Sequence, residues 1–418
     1  MSVANGFHRA PDGLHCEGVR LAEIARQAGT PAYVYSLDVI DRQLARMAKA
    51  FEGINIRPCY AAKANNNADI LRLIAGRDDL PWGIDAVSKG ELMAGLAAGF
   101  KPAAMIFSGV GKQAHELEFA ISHDIVLNVE SLFELEDIVA IAKNLGRRAR
   151  IGFRFNPDVD AGTHPKITTG TKRNKFGLPM LALDELLNRI KQESRAVGLC
   201  GVSTHIGSQI CDLDAWGDSA RQLVALAGKL IENHNQDLEF IDFGGGFPVR
   251  YDGDRDPPAI EAFAGIIRIA LEGATVDAIK KLLVVIEPGR WVVGESGGLL
   301  TRVIGVKDRF IVVDASMTEL IRPALYDARH EILFDLDADH AKVATRSAIE
   351  YDIVGPVCES SDVLARDIVP GFEPKKNQLA VILQAGAYGF SMASTYNLRP
   401  LPPEIVVRGS TFNSCPKP

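Results

Sequence analysis

Three stretches of the chain decide its fold: VGLCGVSTHIG at residues 197–207, EFIDFGGG at 239–246 and LVVIEPG at 283–289. Each begins with an apolar run of the kind that forms a buried strand, and each ends in glycine or polar residues. Five earlier runs have the same form, namely RPCYA (57–61), WGIDA (82–86), AMIFSG (104–109), IVLNVE (125–130) and RIGFRFN (150–156). The sequence therefore predicts eight strand-and-turn units in succession.

The segments between these runs have helical periodicity. Examples are DVIDRQLARMAKAF (38–51), SKGELMAGLAAG (88–99), SLFELEDIVAIAKNLG (131–146) and DAWGDSARQLVALAGKLIENH (214–234). Eight alternations of strand and helix over about 250 residues are typical of a (β/α)8 TIM barrel. An open doubly wound sheet is the alternative with the same alternation.

The pattern changes after Gly289. Runs such as LLTRVIGVKDRFIVVDAS, NQLAVILQAGAY and PEIVVRG are β-rich with little helical periodicity between them, and they predict a C-terminal antiparallel β domain. We assign residues 30–289 to the barrel, and residues 1–29 with 290–418 to the β-rich domain. The strand-like PAYVYS (31–36) can pack with either lobe.

The composition excludes several classes of partner. The 418 residues carry a formal net charge of −7, which disfavours phosphate backbones and anionic lipid, so we expect no nucleic-acid and no membrane partner. The six cysteines contain no CxxC pair and the nine histidines show no HExxH spacing, so we expect neither disulfides nor a metal site. The beginning, MSVANGFHRAPDG, lacks the features of a signal peptide, and we expect a cytoplasmic protein.

Polar residues collect where the predicted strands end, and in a TIM barrel those ends form the functional rim. They are Lys63, Asp85, Arg154, His205, Ser208, Gly244, Gly245, Gly246, Glu287 and Arg290. A partly desolvated Lys63 would have a lowered pKa and could form a Schiff base. The glycine triplet lets backbone N–H groups surround a phosphate. A carboxylate at Glu287 can face a pyridine nitrogen and keep it protonated.

Each of these residues also has an ordinary structural interpretation. Lys63 can be a surface lysine, the glycines can form a tight turn, and Glu287 can pair only with Arg290. His205 can be a core histidine and Cys358 a buried apolar thiol. SGVGKQ (108–113) resembles a nucleotide loop, but Gln113 stands where that motif requires Ser or Thr, and we discount it.

Seven motifs occur together, and their order and separations carry more information than any one of them. They are YAAKAN, THIGSQ, FGGGF, EPGR, IRPALY, CESSD and AGAYGFSMAS. The set resembles the pyridoxal-phosphate-dependent decarboxylases with an alanine-racemase-like fold, in particular the diaminopimelate decarboxylases. The resemblance implies pyridoxal 5'-phosphate as cofactor and the conversion of meso-2,6-diaminopimelate to L-lysine and carbon dioxide, the last step of lysine biosynthesis. An ornithine-, lysine- or arginine-type decarboxylase, an amino-acid racemase and a silent regulatory homologue remain alternatives.

The resemblance also implies roles for individual residues around the cofactor. Lys63 resembles the lysine that binds it covalently, His205 the imidazole stacked on its ring, and Glu287 the partner of the pyridine nitrogen. The remaining cofactor positions are Ser208, Gly244, Gly245, Gly246, Gly289, Arg290 and Tyr388. Asp85 and Arg154 match family positions more loosely.

Substrate choice follows from charge, because meso-diaminopimelate carries a second carboxylate and a carboxylate favours a guanidinium partner. Arg290 and Arg322 supply guanidinium groups, Tyr326 and Tyr388 add hydroxyls, and Glu359 can take the distal ammonium. A surface salt bridge is the alternative role for Arg322.

Cys358 and Glu359 look like the residues that a partner subunit inserts into the active site. Cys358 would then be the proton donor to the substrate carbon. The resemblance therefore implies a homodimer with shared active sites.

Overall fold

The structure, a computed structural model, describes residues 6–160, 169, 175–336 and 349–414. The chain starts with a small antiparallel sheet, a helix and a strand that lies outside the barrel. These elements are β1 (Phe7–Ala10), β2 (Gly13–Cys16), β3 (Val19–Arg20), α1 (Leu21–Ala28) and β4 (Ala32–Ser36).

The central part of the chain alternates helices and strands. Its elements are α2 (Leu37–Ala50), β5 (Ile56–Ala61), α3 (Ala68–Ala75), β6 (Gly83–Ala86), α4 (Lys89–Ala98), β7 (Met105–Phe107), α5 (Ala114–Ser122), β8 (Val126–Val129), α6 (Leu132–Leu145), β9 (Ala149–Phe155), α7 (Leu183–Gln192), β10 (Val197–Thr204), α8 (Leu213–His234), β11 (Phe240–Asp242), α9 (Ile260–Glu272), β12 (Leu283–Ile286) and α10 (Arg290–Val293). Strands β5 to β12 are parallel and close into one barrel, with β12 paired to β5. The predicted TIM barrel is confirmed, since an open sheet would leave β12 and β5 unpaired.

The helix ends follow local chemistry. Ser36, Ser88 and Ser131 precede α2, α4 and α6, and each accepts a hydrogen bond from a backbone N–H of the first turn. Gly99 and Gly146 end α4 and α6 with φ of 104° and 62°, the left-handed backbone that favours glycine. These short-range signals explain why the predicted helix boundaries agree with the observed ones to about two residues.

The strand period of two residues places polar groups inside the barrel mouth. Phe240 and Val285 pack in a small apolar cluster with Cys59, Ile106, Val126 and Cys200, separate from the core beneath the helices. Two residues further along their strands, Asp242 and Glu287 face the same interior. The apolar cluster thus closes the barrel below a layer of buried carboxylates.

The rest of the chain forms a second sheet. Its elements are β13 (Gly297–Lys307), β14 (Phe310–Val313), α11 (Arg322–Tyr326), β15 (Ile332–Phe334), β16 (Tyr351–Val354), β17 (Val363–Ile368), β18 (Leu379–Ile382), β19 (Glu404–Arg408) and β20 (Thr411–Ser414). The main strand order is β17-β16-β14-β13-β4-β19-β20, and β15 and β18 pair off this path. The predicted separate β domain is confirmed, with the refinement that its sheet is mixed because β14–β16 and β4–β19 run parallel.

Strand β4, which lies in the PAYVYS segment, pairs with β13 and β19 of the second sheet. Its pairing partners come from the C-terminal part of the chain. This explains why the local sequence did not assign the segment to one of the two domains. The domain boundaries at residues 30 and 289 stay a prediction. No helix in the described ranges is long and apolar enough to span a bilayer.

Candidate active site

Lys63 lies in the barrel mouth, on a short helical turn directly after β5. Its Nζ donates to Oδ2 of Asp85, at the end of β6, at 3.0 Å. The Asp85 side chain is fully buried, and its Oδ1 has no hydrogen-bond donor among the described residues. The two residues form one ion pair at adjacent strand ends, as the rim rule predicted.

Asp242 and Glu287 extend this cluster to three buried carboxyl groups. Asp242 Oδ1 accepts from the Gly244 N–H at 2.8 Å, while Oδ2 has no hydrogen-bond partner among the described residues. Burial and the charge of Asp85 raise the pKa of Asp242 to about 7. Burial, Asp85 and Asp242 also raise the pKa of Glu287 well above its usual range. Asp242 and Glu287 therefore hold protons to higher pH than exposed carboxyl groups do.

The expectation of a lowered pKa for Lys63 is wrong. Burial does lower the pKa of this ammonium, but the carboxylates of Asp85 and Glu287 outweigh burial, so that the pKa is raised. These carboxylates come from β6 and the end of β12, which are distant in sequence from Lys63. The lysine is held protonated until a ligand changes its surroundings.

The glycine triplet forms a tight cradle after β11. Gly244 and Gly246 have φ of 74° and 98°, and a Cβ on Gly245 would lie 2.1 Å from the carbonyl oxygen of Glu287. Side chains at these positions are excluded by backbone contacts, not merely by turn geometry. The absence of side chains leaves an open backbone surface at the barrel mouth.

His205 follows β10 and is neutral. The Gly245 N–H donates to its Nδ1 at 3.0 Å, so Nδ1 carries no proton and the neutral ring is protonated at Nε2. Burial, with the nearby charges of Arg154 and Lys63, lowers the pKa of His205 well below its usual value. An uncharged imidazole ring at the barrel mouth is suited to pack against a flat ligand.

Arg290 starts α10 directly after Gly289 and turns away from Glu287. Its Nη2 donates to Ser208 Oγ at 3.0 Å and its Nη1 to the Tyr251 hydroxyl at 2.8 Å. The guanidinium carbon also lies 4.6 Å from the centre of the Tyr388 ring. Arg290 is thus not the hydrogen-bond partner of Glu287, and that structural interpretation is wrong.

Arg322 and Tyr326 are the first and last residues of α11, and they face Arg290 across a cavity. Arg322 is only 5% exposed, which excludes the surface salt bridge considered for it. Its Nη1 donates to the same Tyr251 hydroxyl that Arg290 contacts. The cavity, about 370 Å³, is lined by both arginines, Tyr326 and Tyr251.

Sequence reasoning missed two residues of this site. Asp242 ends β11, so the rule that found Asp85 would also have found it. Tyr251 lies in the loop after the glycine triplet, outside any periodic segment, and only the fold brings it to the two arginines.

Arg154 ends β9 within a buried ion network beside His205. Its Nη1 donates to Glu130 at 3.2 Å, and Lys112 donates to Glu134 at 2.5 Å. Lys112 also donates to the carbonyl oxygens of Gly109 and Asn128, which uses all three of its N–H groups. Lys112 therefore supports the barrel rim, in line with discounting SGVGKQ as a nucleotide loop.

Cys358 and Glu359 are not brought to Lys63 within one chain. Both are exposed on the loop after β16, and the Cys358 N–H donates to Asn397 Oδ1 at 3.0 Å. Neither residue lines the cavities beside Lys63 and Arg290. Cys358 is therefore not the buried thiol considered as its alternative.

The residues of the barrel mouth fit pyridoxal phosphate. The glycine cradle would be filled by any Cβ, and Arg290 Nε and Asp85 Oδ1 are buried polar atoms without partners among the described residues. A cavity beside Lys63 is lined by His205, Ser208, Gly246, Glu287, Gly289, Arg290 and Tyr388, among others. Its volume of about 30 Å³ corresponds to about two waters.

Comparisons with known proteins agree with this geometry. Residues 37–294 match the family described as "Pyridoxal-dependent decarboxylase, pyridoxal binding domain". A diaminopimelate decarboxylase of Aquifex aeolicus is 38% identical over 414 residues, covering 97% of this chain and 94% of that protein.

Two solved structures are similar along most of the chain. Diaminopimelate decarboxylase from Helicobacter pylori, complexed with L-lysine, has a TM-score of 0.86 and 38% identity, covering 95% of this chain and 96% of that one. The enzyme from M. jannaschii, in co-complex with L-lysine, has a TM-score of 0.88 and 32% identity, covering 99% and 95%. The chain therefore belongs to the pyridoxal-dependent decarboxylases, within the diaminopimelate decarboxylase family.

Proposed function

We propose that this protein removes carbon dioxide from meso-2,6-diaminopimelate to give L-lysine, with pyridoxal phosphate as cofactor, as the last step of lysine biosynthesis. The observation that carries the proposal is the pair of buried guanidinium groups of Arg290 and Arg322 beside the barrel mouth that holds Lys63. A substrate with a carboxylate at each end matches this arrangement.

Pyridoxal phosphate, when bound, withdraws electrons from the carbon that loses its carboxyl group. Lys63 would hold the cofactor covalently. Glu287, whose pKa is raised by burial, would face the pyridine nitrogen as its hydrogen-bond partner. The neutral His205 ring would pack against the cofactor ring, and Gly289 lets the loop approach closely because a Cβ there would lie 3.1 Å from Ala61 and Ala64.

The phosphate is held by groups that present N–H or O–H donors without carboxylates. Gly246 would supply a backbone N–H, while Gly244 and Gly245, whose N–H groups bind Asp242 and His205, leave the space that a Cβ would fill. Ser208 would supply a hydroxyl that Arg290 already contacts. Tyr388, stacked on the Arg290 guanidinium, reaches the phosphate and the substrate. These contacts fix the cofactor so that Lys63 lies at its reactive end.

The far end of the substrate determines which amino acid is decarboxylated. Arg322 and Arg290 bind its carboxylate, Tyr326 adds a hydroxyl, and Glu359 takes its ammonium. A decarboxylase of the ornithine type requires an acidic group to receive a lone distal ammonium. Two guanidinium groups at this place would repel that ammonium, which disfavours this alternative.

We further propose that the active enzyme is a homodimer in the cytoplasm, in which Cys358 and Glu359 of the partner subunit complete each site. Large apolar side chains support this proposal, since Leu398 is 96% exposed and Tyr396 is 49% exposed. Asn397, between them, binds the Cys358 backbone at 3.0 Å. A surface that combines these groups is typical of an interface, and it would bring the Cys358 thiol to the substrate as the proton donor.

Carbon dioxide release tests the activity. The protein is incubated with pyridoxal phosphate and, separately, with meso-diaminopimelate, L-ornithine, L-arginine or L-alanine. We expect carbon dioxide and L-lysine from meso-diaminopimelate alone. Faster release from L-ornithine or L-arginine, racemisation of alanine, or no reaction at all would contradict the proposal.

Subunit mixing tests the shared site. Lys63→Ala and Cys358→Ala proteins are each nearly inactive, but random mixing makes half of the dimers mixed, with one intact site in each. The mixture should regain about a quarter of wild-type activity. A Cys211→Ala protein, altered at another exposed cysteine, serves as control and should be fully active. A mixture that stays inactive would refute the sharing of sites.

A further inference from the structure

The loop after the glycine triplet carries a tyrosine that touches both buried arginines. The Tyr251 hydroxyl accepts an N–H from Arg290 at 2.8 Å and another from Arg322. Its ring also lies under both groups, with the guanidinium carbons of Arg322 and Arg290 at 4.4 and 5.8 Å from its centre. One side chain thus sets the spacing of the two cations.

The arginines lack the partner that buried cations normally have. Arg290 and Arg322 are 8% and 5% exposed, and within the described ranges neither forms an ion pair with a carboxylate. Burial, and the charge of the neighbouring Arg290, lower the pKa of Arg322. Two cations that repel each other in a buried place require an oriented acceptor, and the Tyr251 oxygen is that acceptor.

Contacts that do not involve the arginines fix the position of Tyr251. The Gln209 side chain makes two hydrogen bonds of 2.9 Å to the backbone of Val249, and the Tyr251 N–H donates to Asp254 at 3.2 Å. The His330 ring packs edge-on against the Tyr251 ring, with centres 5.3 Å apart. Because the loop holds Tyr251 independently, the tyrosine positions the arginines, and not the reverse.

We propose that Tyr251 is a positioning and specificity-determining residue, which holds Arg290 and Arg322 at the separation that receives the substrate carboxylate remote from Lys63. The inference rests on the proposed function, since it assumes a substrate with that carboxylate. The cavity of about 370 Å³ in front of Tyr251 is the place where the carboxylate enters. Selectivity for substrates with two carboxylates then depends on an oxygen that takes no part in the chemistry.

The test uses two ligands that differ only in that carboxylate, L-lysine and 1,5-diaminopentane, as inhibitors of the holoenzyme. Tyr251→Phe keeps the ring beneath both guanidinium groups and removes the oxygen. We expect inhibition by L-lysine to weaken about tenfold, the loss of hydrogen bonds to charged groups, and inhibition by 1,5-diaminopentane to change less than about twofold. The KM for meso-diaminopimelate should rise, with kcat within about twofold.

A second variant, Gln209→Asn, shortens the side chain that anchors the loop and should shift the two ligands in the same selective manner. It tests the inference even if Tyr251→Phe does not fold. Tyr351→Phe, at a buried tyrosine of β16 in the second sheet, is the matched control for L-lysine inhibition.

The outcomes separate the inference from the proposed function. Two results would overturn the role of Tyr251: inhibition by both ligands weakens equally in the variants, or inhibition by L-lysine is unchanged in both variants. In either case the wild type would still turn over meso-diaminopimelate, so the proposed function would stand. A wild type that binds the two ligands equally well overturns the proposed substrate, and the inference with it.

Discussion

The two ends of the active site differ in how their buried charges are balanced. At the inner end, Asp85, Asp242 and Glu287 surround Lys63, and an ion pair with Lys63 together with the raised pKa values of Asp242 and Glu287 reduces their repulsion. At the outer end, Arg290 and Arg322 contact only hydroxyl groups and aromatic rings among the described residues. The inner end is balanced by the protein itself, whereas the outer end is balanced by a ligand.

This difference has an energetic cause. An unpaired buried charge costs several kcal/mol, so a fold keeps it only where something compensates. The carboxyl groups are compensated within the barrel mouth, by Lys63 and by bound protons, and this compensation stabilises the barrel mouth. The arginines are left to bind a carboxylate and a phosphate, which makes the outer end selective for anions.

Removing the inner cation should have the largest effect. Lys63→Ala is expected to lower kcat on the order of 10³-fold or more, because it removes the covalent attachment and leaves Asp85 unpaired. Borohydride reduction followed by mass spectrometry should no longer find cofactor bound to the chain. The exposed Lys101→Ala serves as control, and a Lys63→Ala protein that kept both turnover and the adduct would refute the assignment.

Removing an outer cation should have a smaller, selective effect. Arg322→Gln is expected to raise the KM for meso-diaminopimelate roughly 10- to 100-fold, since a hydrogen bond to a charged group contributes about 1.5–3 kcal/mol. Steady-state kinetics measures this, and kcat should change much less. Arg366→Gln, which alters an exposed arginine 3.8 Å from the buried Asp352, is the control. An unchanged KM in Arg322→Gln would remove the carboxylate-binding role.

The raised pKa of Asp242 at the inner end should make stability depend on pH. The pKa of Asp242 rises from 3.8 to about 7 through burial, so the native state keeps a proton that the unfolded chain releases. The resulting stabilisation is complete below the unfolded pKa and is lost as pH rises through about 7. Between about pH 5 and about pH 8, the Tm of the cofactor-free protein should fall more in wild type than in Asp242→Asn.

The comparison for this prediction is Asp137→Asn, an exposed change on α6 that should follow the wild-type pH profile. If wild type and Asp242→Asn have parallel pH profiles, Asp242 does not hold a proton in the native state near neutral pH.

The smallest effect is expected where an aromatic ring supports the outer end. Tyr388→Ala removes the ring stacked on Arg290, a contact of about 1 kcal/mol, and should weaken pyridoxal phosphate binding roughly fivefold. Tyr388→Phe keeps the ring and should lose less. Fluorescence titration of the cofactor measures both, and an equal loss in Tyr388→Phe and Tyr388→Ala would show that the hydroxyl matters and not the stacking.

The barrel and much of its rim were predictable for a local reason. Each strand is an apolar run, and the residue that follows it in sequence also follows it in space, so Lys63, His205 and Glu287 had to reach the same rim once the barrel closed. Tyr251 escaped prediction because it lies in a loop whose path depends on Gln209 and His330, which are contacts over long sequence distances. The second sheet was predicted as antiparallel, and its two parallel pairs depend on crossovers that strand composition does not encode.

The sequence by itself determined the order of strands and helices, the separate β domain and the set of groups available for chemistry, because these depend on periodicity and on residue type. Only the tertiary structure decided the charge state of those groups. Lys63 has a raised pKa, against expectation, because carboxylates from two other strands lie beside it. Electrostatic energies depend on distance in space, and residues 63, 85, 242 and 287 become neighbours only when the barrel closes.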